Sequence, residues 1–351
     1  MEIFVPGRLC LFGEHSDWAG SYRCHNPELK KGYTLLVGTN QGLYANVKSH
    51  PSHLLLKMSL NDGHVKTLAL NMEKQTLLEV AKAGGFFSYA AGVAYQILNH
   101  YQVGGLEIDN YCTDLPIKKG LSSSATVCVL VARAFNQVYD LKMSHREEME
   151  FAYQGEITTP SSCGRMDQGC AYGNQPIAMV FDGDRTEVIE LAAAKNLFFV
   201  IVDLGASKNT QQILAQLHQC YPFARNDIET QVQEFLGAIS YQITQGAVEA
   251  IQAGDAEKIG ILMKQFQEYF DRYLIPACPT ELTAPILHKL LNYPPIQPYI
   301  FGGKGVGSQG DGTAQFIVKD AASQQKLIDI INRDFQAMQC LKLTIYAQPS
   351  S

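Results

Sequence analysis

The sequence predicts an α+β protein with room for two domains. Three observations carry this. The chain has 351 residues, enough for two cores. Strand-like segments come in runs with helices following them, rather than alternating regularly as in a doubly wound sheet. Finally, Asn196 to Leu204 (NLFFVIVDL) is an almost wholly apolar run, of the kind that forms a central strand, and it opens the second half of the chain.

Taken in order, Glu2 to Phe12 reads as a strand interrupted at Pro6-Gly7, followed by the polar turn Gly13-Glu14-His15-Ser16-Asp17-Trp18. Ser21 to Lys31 is polar and expected to be a loop. Gly32 to Val47 reads as two short strands around Gly38 to Gly42. Leu54 to Leu70 alternates as a hairpin, with Asn61-Asp62-Gly63 as its turn signal. Asn71 to Tyr101 is helical in pattern. Gly104 to Pro116 then alternates at Leu106, Ile108 and Tyr111 as a strand does. Beyond it, Val127, Leu130, Val131, Ala134, Phe135 and Val138 recur at helical spacing and define one buried face. Glu147 to Gly155 continues as helix, Pro176 to Phe181 and Glu187 to Leu191 as strands. Helical patterns dominate from Thr210 to Leu291, broken near Pro276 and Pro279. Gly302 to Gly312 is a glycine-rich turn, with Gln315 to Val318 extended after it.

The stretch Lys119-Gly120-Leu121-Ser122-Ser123-Ser124-Ala125 lies on the connection between the Gly104 strand and its helix. Free amide N–H groups and the positive end of the helix dipole face outward there. Such an end suits a phosphate, and the hydroxyls suit a magnesium ion. The same serines would also serve as a plain N-cap, although three in succession exceed what a cap requires. Glu14, His15 and Asp17, with Trp18 as an apolar wall, form a set of donors and acceptors fit for sugar hydroxyls. Local turn capping and a satisfied core histidine are the alternative there. Asp167 follows a turn flanked by Cys163, Gly164 and Arg165, where an acid is most often a surface or capping residue.

Composition narrows the classes. Apolar residues make up 46% and charged residues 18%, an ordinary globular balance. A net charge of −6 excludes a general nucleic-acid binder. No run approaches the ~18 apolar residues of a membrane span, and Met1 to Phe12 has no basic segment or cleavage site of a secretion signal. The nine cysteines are scattered, with Cys10, Cys112, Cys128 and Cys340 in apolar surroundings, as expected of reduced thiols in the cytoplasm. Gly305, Gly307 and Gly310 match G-x-G-x-x-G, but an extended segment follows instead of a helix, so a dinucleotide loop is not expected. No Walker A loop occurs, so a nucleotide would need a different phosphate loop.

With these residues in view, the chain resembles the GHMP kinases, and within them the galactokinase type. Pro6-Gly-Arg-Leu-Cys-Leu-Phe-Gly-Glu-His-Ser-Asp17 is similar to the galactokinase signature. Lys119 to Ala125 is similar to the family's phosphate loop, Cys163-Gly-Arg-Met-Asp-Gln168 to its CGxMDQ segment, and Gly302 to Gly312 to its third motif. Gly254-Asp255, Gly260 to Met263 and Cys278 to Leu282 resemble its later helices, so the likeness runs through most of the chain.

The resemblance implies an α+β, two-domain GHMP kinase architecture. A ribosomal-protein-S5-like domain would span 1–194 and hold substrate and phosphate loop; a ferredoxin-like domain would span 195–351. It implies an ATP- and Mg-dependent kinase of a small-molecule alcohol, with a monosaccharide and its anomeric hydroxyl as the expected acceptor. Lys119 to Ala125 would wrap the nucleotide phosphates. Ser124 and Glu156 would hold magnesium, Asp167 would orient or deprotonate the attacking hydroxyl, and Arg8 would stabilise the transferring charge. Glu14, His15, Asp17 and Asp167 would contact the sugar. No nucleic-acid or membrane partner is expected, and no heptad seam indicates an oligomeric state.

Departures from the family pattern leave other acceptors open, among them a uronic acid, a heptose or a polyol. A silent sugar-and-ATP sensor is the alternative of a different class, but it would not need Arg8, Ser124, Glu156 and Asp167 together. Trp18 stands where galactokinases usually carry tyrosine. Ser308-Gln309-Gly310-Asp311 replaces a run of glycines, and a carboxylate there would repel phosphate unless it points away or meets the metal.

Overall fold

A computed structural model of the chain describes residues 1–59, 64–115, 123–161 and 163–348, with only the backbone of Ser123. Eleven strands are present among them: β1 (Glu2–Phe12), β2 (Gly32–His50), β3 (His53–Ser59), β4 (Val65–Asn71), β5 (Gly105–Thr113), β6 (Ile177–Asp182), β7 (Arg185–Glu190), β8 (Leu197–Asp203), β9 (Ile300–Gly305), β10 (Thr313–Val318) and β11 (Gln339–Ile345). Contacts divide the chain into two compact units, Met1–Arg8 with Gly38–Asn174, and Leu9–Val37 with Gln175–Ser351. This grouping in space differs from a single cut at 194/195. The long strands β1 and β2 each give one end to either unit, so neither unit is one continuous segment.

In the first unit, β3 and β4 form the expected antiparallel hairpin, β3 runs parallel to β5, and β5 pairs antiparallel with Leu43 to His50 of β2. The hairpin's turn signal, Asn61-Asp62-Gly63, lies outside the described residues. Helices Lys74–Ala83, Ser88–His100, Ser123–Tyr139 and His145–Ile157 complete the unit. The periodic face of the Ser123–Tyr139 helix is buried at Leu130, Val131, Ala134 and Phe135. Full burial of such side chains contributes about 1.5–3 kcal/mol each. The His145–Ile157 helix begins at a reciprocal capping box between Ser144 and Glu147, which fixes where Glu156 falls.

Three expectations are corrected here, all involving glycine or proline. β1 is unbroken through Pro6-Gly7, because it pairs only with β2 among the described strands and an edge strand tolerates proline. β2 is one strand of 19 residues, not two. Gly38 is a point of close approach: a Cβ there would lie 2.0 Å from the Gly173 carbonyl oxygen. The helical stretch from Asn71 to Tyr101 is two helices, divided at Gly84-Gly85, whose φ values of 75° and 96° end the first. Of the four cysteines expected in apolar surroundings, Cys10 and Cys128 are buried and Cys340 is half-buried, whereas Cys112 is exposed.

In the second unit, Gly32 to Leu36 of β2 pairs with β6, and β6 with β7. A separate four-stranded sheet has the order β11-β8-β10-β9, antiparallel throughout. Helices connect its first strand to its second and its third to its fourth, which is the ferredoxin-like arrangement that the family likeness implies. The apolar run at Asn196 becomes β8, paired on both edges and buried at Leu197 and Phe199 to Val202. Side chains of Asn209, Asn226, Asp255 and Asp320 cap four helices by accepting from backbone N–H groups three residues on. The turn expected over Gly302 to Gly312 begins later, at Val306, because Ile300–Gly305 is β9.

Candidate active site

Two clusters of polar side chains carry the residues singled out above, one in each unit. In the first unit, Arg8 on β1 donates from its guanidinium to the carboxylate of Asp167, which opens a short 3-10 turn over Asp167–Tyr172. The arginine side chain is 6% exposed and the aspartate 28%, so the pair is anchored at the cation and open at the acid. Twelve residues from Gln168, and buried to 1% exposure, Glu156 accepts from Gln168 Nε2 at 2.7 Å. It also engages the side chain of Ser124, in the first turn of the Ser123–Tyr139 helix. Burial pushes the Glu156 carboxyl above the usual carboxylate range, and the charge of Asp167 adds to this, while hydrogen bonds from Ser124 and Gln168 oppose it.

Arg8, Ser124, Glu156 and Asp167 are thus gathered in one unit. Arg165, though two residues before Asp167 in sequence, points elsewhere: it pairs with Glu150 and lies over the Tyr153 ring at 4.2 Å. Ala125 is buried in the helix. Lys119, Gly120, Leu121 and Ser122 lie outside the described residues, and of Ser123 only the backbone is described. Reading the sequence missed Gln168 as the residue that holds Glu156; its place in the CGxMDQ-like segment was the available signal.

No group of three or more His, Cys, Asp or Glu side chains suited to a metal occurs among the described residues. Ser124 and Glu156 nevertheless offer hard oxygen donors, and the buried Gln168 Oε1 beside them has no hydrogen-bond partner among the described residues. This sparse set suits magnesium, which keeps waters and takes its remaining ligands from phosphates. Ser124 also borders an apolar cavity of about 350 Å³, lined by Leu56, Phe87, Tyr89, Ile108, Leu115 and Val131 among others.

In the second unit, Glu14 is fully buried and accepts from Lys304 Nζ, which also donates to the carbonyl of the adjacent Gly305 at 2.8 Å. Lys304 lies 4.8 Å from the Phe266 ring centroid. His15 has a left-handed φ of 68° and precedes the helix Ser16–Ser21. Trp18 Nε1 donates to His15 Nδ1 at 3.1 Å, so the neutral ring carries its proton on Nε2. Burial, then the nearby Lys208 charge, lowers the His15 pKa to about 3. Trp18 is less a bare wall than part of an aromatic cluster, 4.1 Å from His218 and 5.3 Å from Tyr221. Asp17 is buried in the first turn of the same helix.

Lys208 Nζ donates to the Gln309 carbonyl at 2.8 Å, and its pKa is lowered to about 8 by its enclosed position. Asp311 accepts from the N–H groups of Ile286 and Leu287, at 2.9 and 2.8 Å. Its carboxylate thereby satisfies the start of the helix Pro285–Leu291. Lys208 and Lys304 were not singled out from the sequence, because an isolated lysine carries no pattern.

Comparison with known proteins fits this arrangement. Residues 88–174 match the family model for the GHMP kinases N terminal domain. The fold matches the Methanococcus jannaschii mevalonate kinase with a TM-score of 0.72 and 19% identity, over 99% of this chain and 98% of that one. It matches the Lactococcus lactis galactokinase, solved with galactose, with a TM-score of 0.72 and 16% identity, over 99% and 93%. The chain therefore carries the N-terminal domain of the GHMP kinases at 88–174, and its fold is similar to that of solved kinases of this class. Within this class the chain is similar to curated galactokinases. That of Thermococcus kodakarensis is 27% identical over 215 residues, covering 59% of this chain and 54% of the relative. The chain spans about half the length of the curated relatives it matches.

Proposed function

We propose that this protein is an ATP- and magnesium-dependent phosphotransferase acting on an alcohol group of a small molecule, of the galactokinase-like sugar kinase kind. The observation that carries this reading is the convergence, in one unit, of the Arg8–Asp167 pair with Glu156, Ser124 and Gln168. Phosphoryl transfer requires positioning and neutralisation of charge more than covalent participation by the protein.

In this reading Asp167, open to solvent at its carboxylate, orients the attacking hydroxyl and accepts its proton. Arg8 fixes that carboxylate and adds positive charge beside it. Ser124 and Glu156 hold the magnesium, with Gln168 orienting Glu156. When bound, the metal supplies neutralisation of phosphate charge and allows Glu156 to remain ionised despite burial. Lys119 to Ala125 are the proposed phosphate loop, and the apolar cavity at Ser124 is of a size for a planar base. Glu14, His15 and Asp17 are assigned to recognition of the acceptor. The domain division at 194/195 and a cytoplasmic location belong to the same proposal; the latter is supported by nine cysteines that are all free thiols.

The test is ADP release by the purified chain with ATP and magnesium, over a panel of neutral hexoses, pentoses, uronic acids, sugar phosphates and polyols. Turnover with one acceptor that collapses in Ser124→Ala supports the kinase. Tight ATP binding without turnover on any acceptor would instead favour the sensor.

A further inference from the structure

Trp18 touches two imidazoles. One is His15, 4% exposed, whose Nδ1 accepts from Trp18 Nε1. The other is His218, the last residue of the helix Thr210–His218, whose ring lies 4.1 Å from that of Trp18 at an angle of 36°. The two histidines are close enough that a charge on His218 would disfavour one on His15. Tyr221 stands edge-on to Trp18, and Tyr22 stacks on Tyr221 at 5.2 Å. The loop that carries Tyr221 is tied down on both sides of it. Gln233 Nε2 donates to the Cys220 carbonyl at 2.6 Å, and Asn26 Nδ2 donates to the Pro222 carbonyl at 2.9 Å. A rigid aromatic cluster therefore borders the turn that carries Glu14, His15 and Asp17.

His218 has one ring nitrogen committed. Its Nδ1 and the Tyr22 hydroxyl are hydrogen-bonded at 3.0 Å. Burial raises the Tyr22 pKa and lowers that of His218, so a neutral phenol meets a neutral imidazole. That bond fixes the orientation of the ring. The other nitrogen, Nε2, meets no hydrogen-bond partner among the described residues, and the ring is half-buried where His15 is sealed. Packing does not require a histidine here, since phenylalanine would fill the space against Trp18 without a polar atom. Whichever partner holds the proton shared with Tyr22, Nε2 is left as a donor or as an acceptor. A hydroxyl is both, and bonds to either.

We propose that His218 is a further specificity-determining residue, its Nε2 hydrogen-bonded to one hydroxyl of the acceptor sugar, with Tyr22 and Trp18 holding the ring in place. This rests on the kinase reading and adds to it a contact from outside the motif-borne turn. The aromatic rings around His218 keep water from that bond, which strengthens it. An acceptor that lacks the hydroxyl leaves the nitrogen unpaired and is discriminated against.

Trp18 is the only tryptophan of the chain, so its emission reports binding at this cluster without ATP or turnover. Galactose, glucose, mannose and arabinose, each with its single-position deoxy analogues, are titrated against the natural chain by Trp18 emission and by calorimetry, and ADP release is measured alongside. At least one sugar is expected to bind saturably. His218→Phe, which keeps the ring packing, should weaken its binding by about 3–10-fold, the size of one net hydrogen bond, with kcat and the KM for ATP nearly unchanged. His218→Gln, whose amide reaches the place of Nε2, should recover most of the loss; His218→Asn, whose amide replaces Nδ1 instead, should not. One deoxy analogue should bind more weakly than its parent to the natural chain and equally to His218→Phe. A sugar that binds His218→Phe or a folded His218→Asn as it binds the natural chain overturns the proposal and leaves the kinase standing. A rise confined to the KM for ATP overturns it as well. Sugar binding that depends on His218 without ADP release sinks the kinase reading and keeps the contact. If none of these sugars binds, the proposal is overturned.

Discussion

Glu14 and Lys304 stand 290 residues apart in the sequence and form an ion pair from which water is wholly excluded. The pair ties the polar turn after β1 to β9. A carboxylate and an ammonium withdrawn from water are stable together and costly apart. Glu14→Gln should therefore destabilise the protein by about 3–5 kcal/mol in urea unfolding, because it leaves Lys304 buried and uncompensated. The double variant Glu14→Gln/Lys304→Met should be less destabilised than the single one. A cost below about 1 kcal/mol for Glu14→Gln would mean that the pair behaves as a solvated surface contact.

Asp167 has a different balance, with an exposed edge and a buried partner. Asp167→Asn keeps a hydrogen bond to Arg8 but removes the proton acceptor. ADP formation should fall by about 10²–10⁴-fold with the melting temperature little changed. Unchanged turnover in a folded variant would remove Asp167 from the mechanism even if the kinase assignment held.

Gln168 offers a test of the metal site that leaves its donors intact. Its Nε2 orients Glu156 at 2.7 Å. In Gln168→Leu, the magnesium concentration for half-maximal ADP release should rise by roughly 10–100-fold, as for other residues that orient a metal ligand. A magnesium titration coinciding with that of the natural chain would show that Glu156 needs no such support.

His15 sets an acid limit on stability. Its pKa is lowered from 6.5 to about 3, first by burial and then by the Lys208 charge. The unfolded chain therefore binds a proton between these values that the folded chain refuses. The stabilisation is complete above pH 6.5 and is lost as the pH falls toward 3, by about 3 kcal/mol between pH 7 and pH 4. His15→Gln should flatten this part of the stability profile relative to the natural chain. Parallel profiles would show that the ring takes up its proton equally in the folded and the unfolded chain.

Much of this was legible before any coordinates. Periodicity located the Ser123–Tyr139 helix and β8, since burial of one face or of both leaves a direct trace in the order of residues. The motif-borne residues Arg8, Ser124, Glu156 and Asp167 met in one unit. Glycine misled at Gly38, which reads as a turn but permits backbone contact with Gly173 within an unbroken strand. Lys208 and Lys304 were invisible for another reason. Their meaning lies in which groups they meet once distant segments come together, and no local pattern records that.

Asp311 gives the sharpest separation between a structural and a chemical role for a turn carboxylate. Its Oδ1 accepts from two successive N–H groups at the start of the helix Pro285–Leu291, where Pro285 removes a further donor. An N-cap of this kind contributes about 0.5–2 kcal/mol. Asp311→Ala should lower stability by that amount in urea unfolding, and Asp311→Asn, whose amide oxygen still accepts, by less. The KM for ATP should stay within a fewfold of the natural value in both. A large rise in magnesium requirement in Asp311→Asn would show instead that the carboxylate meets the metal, and the cap would then be secondary.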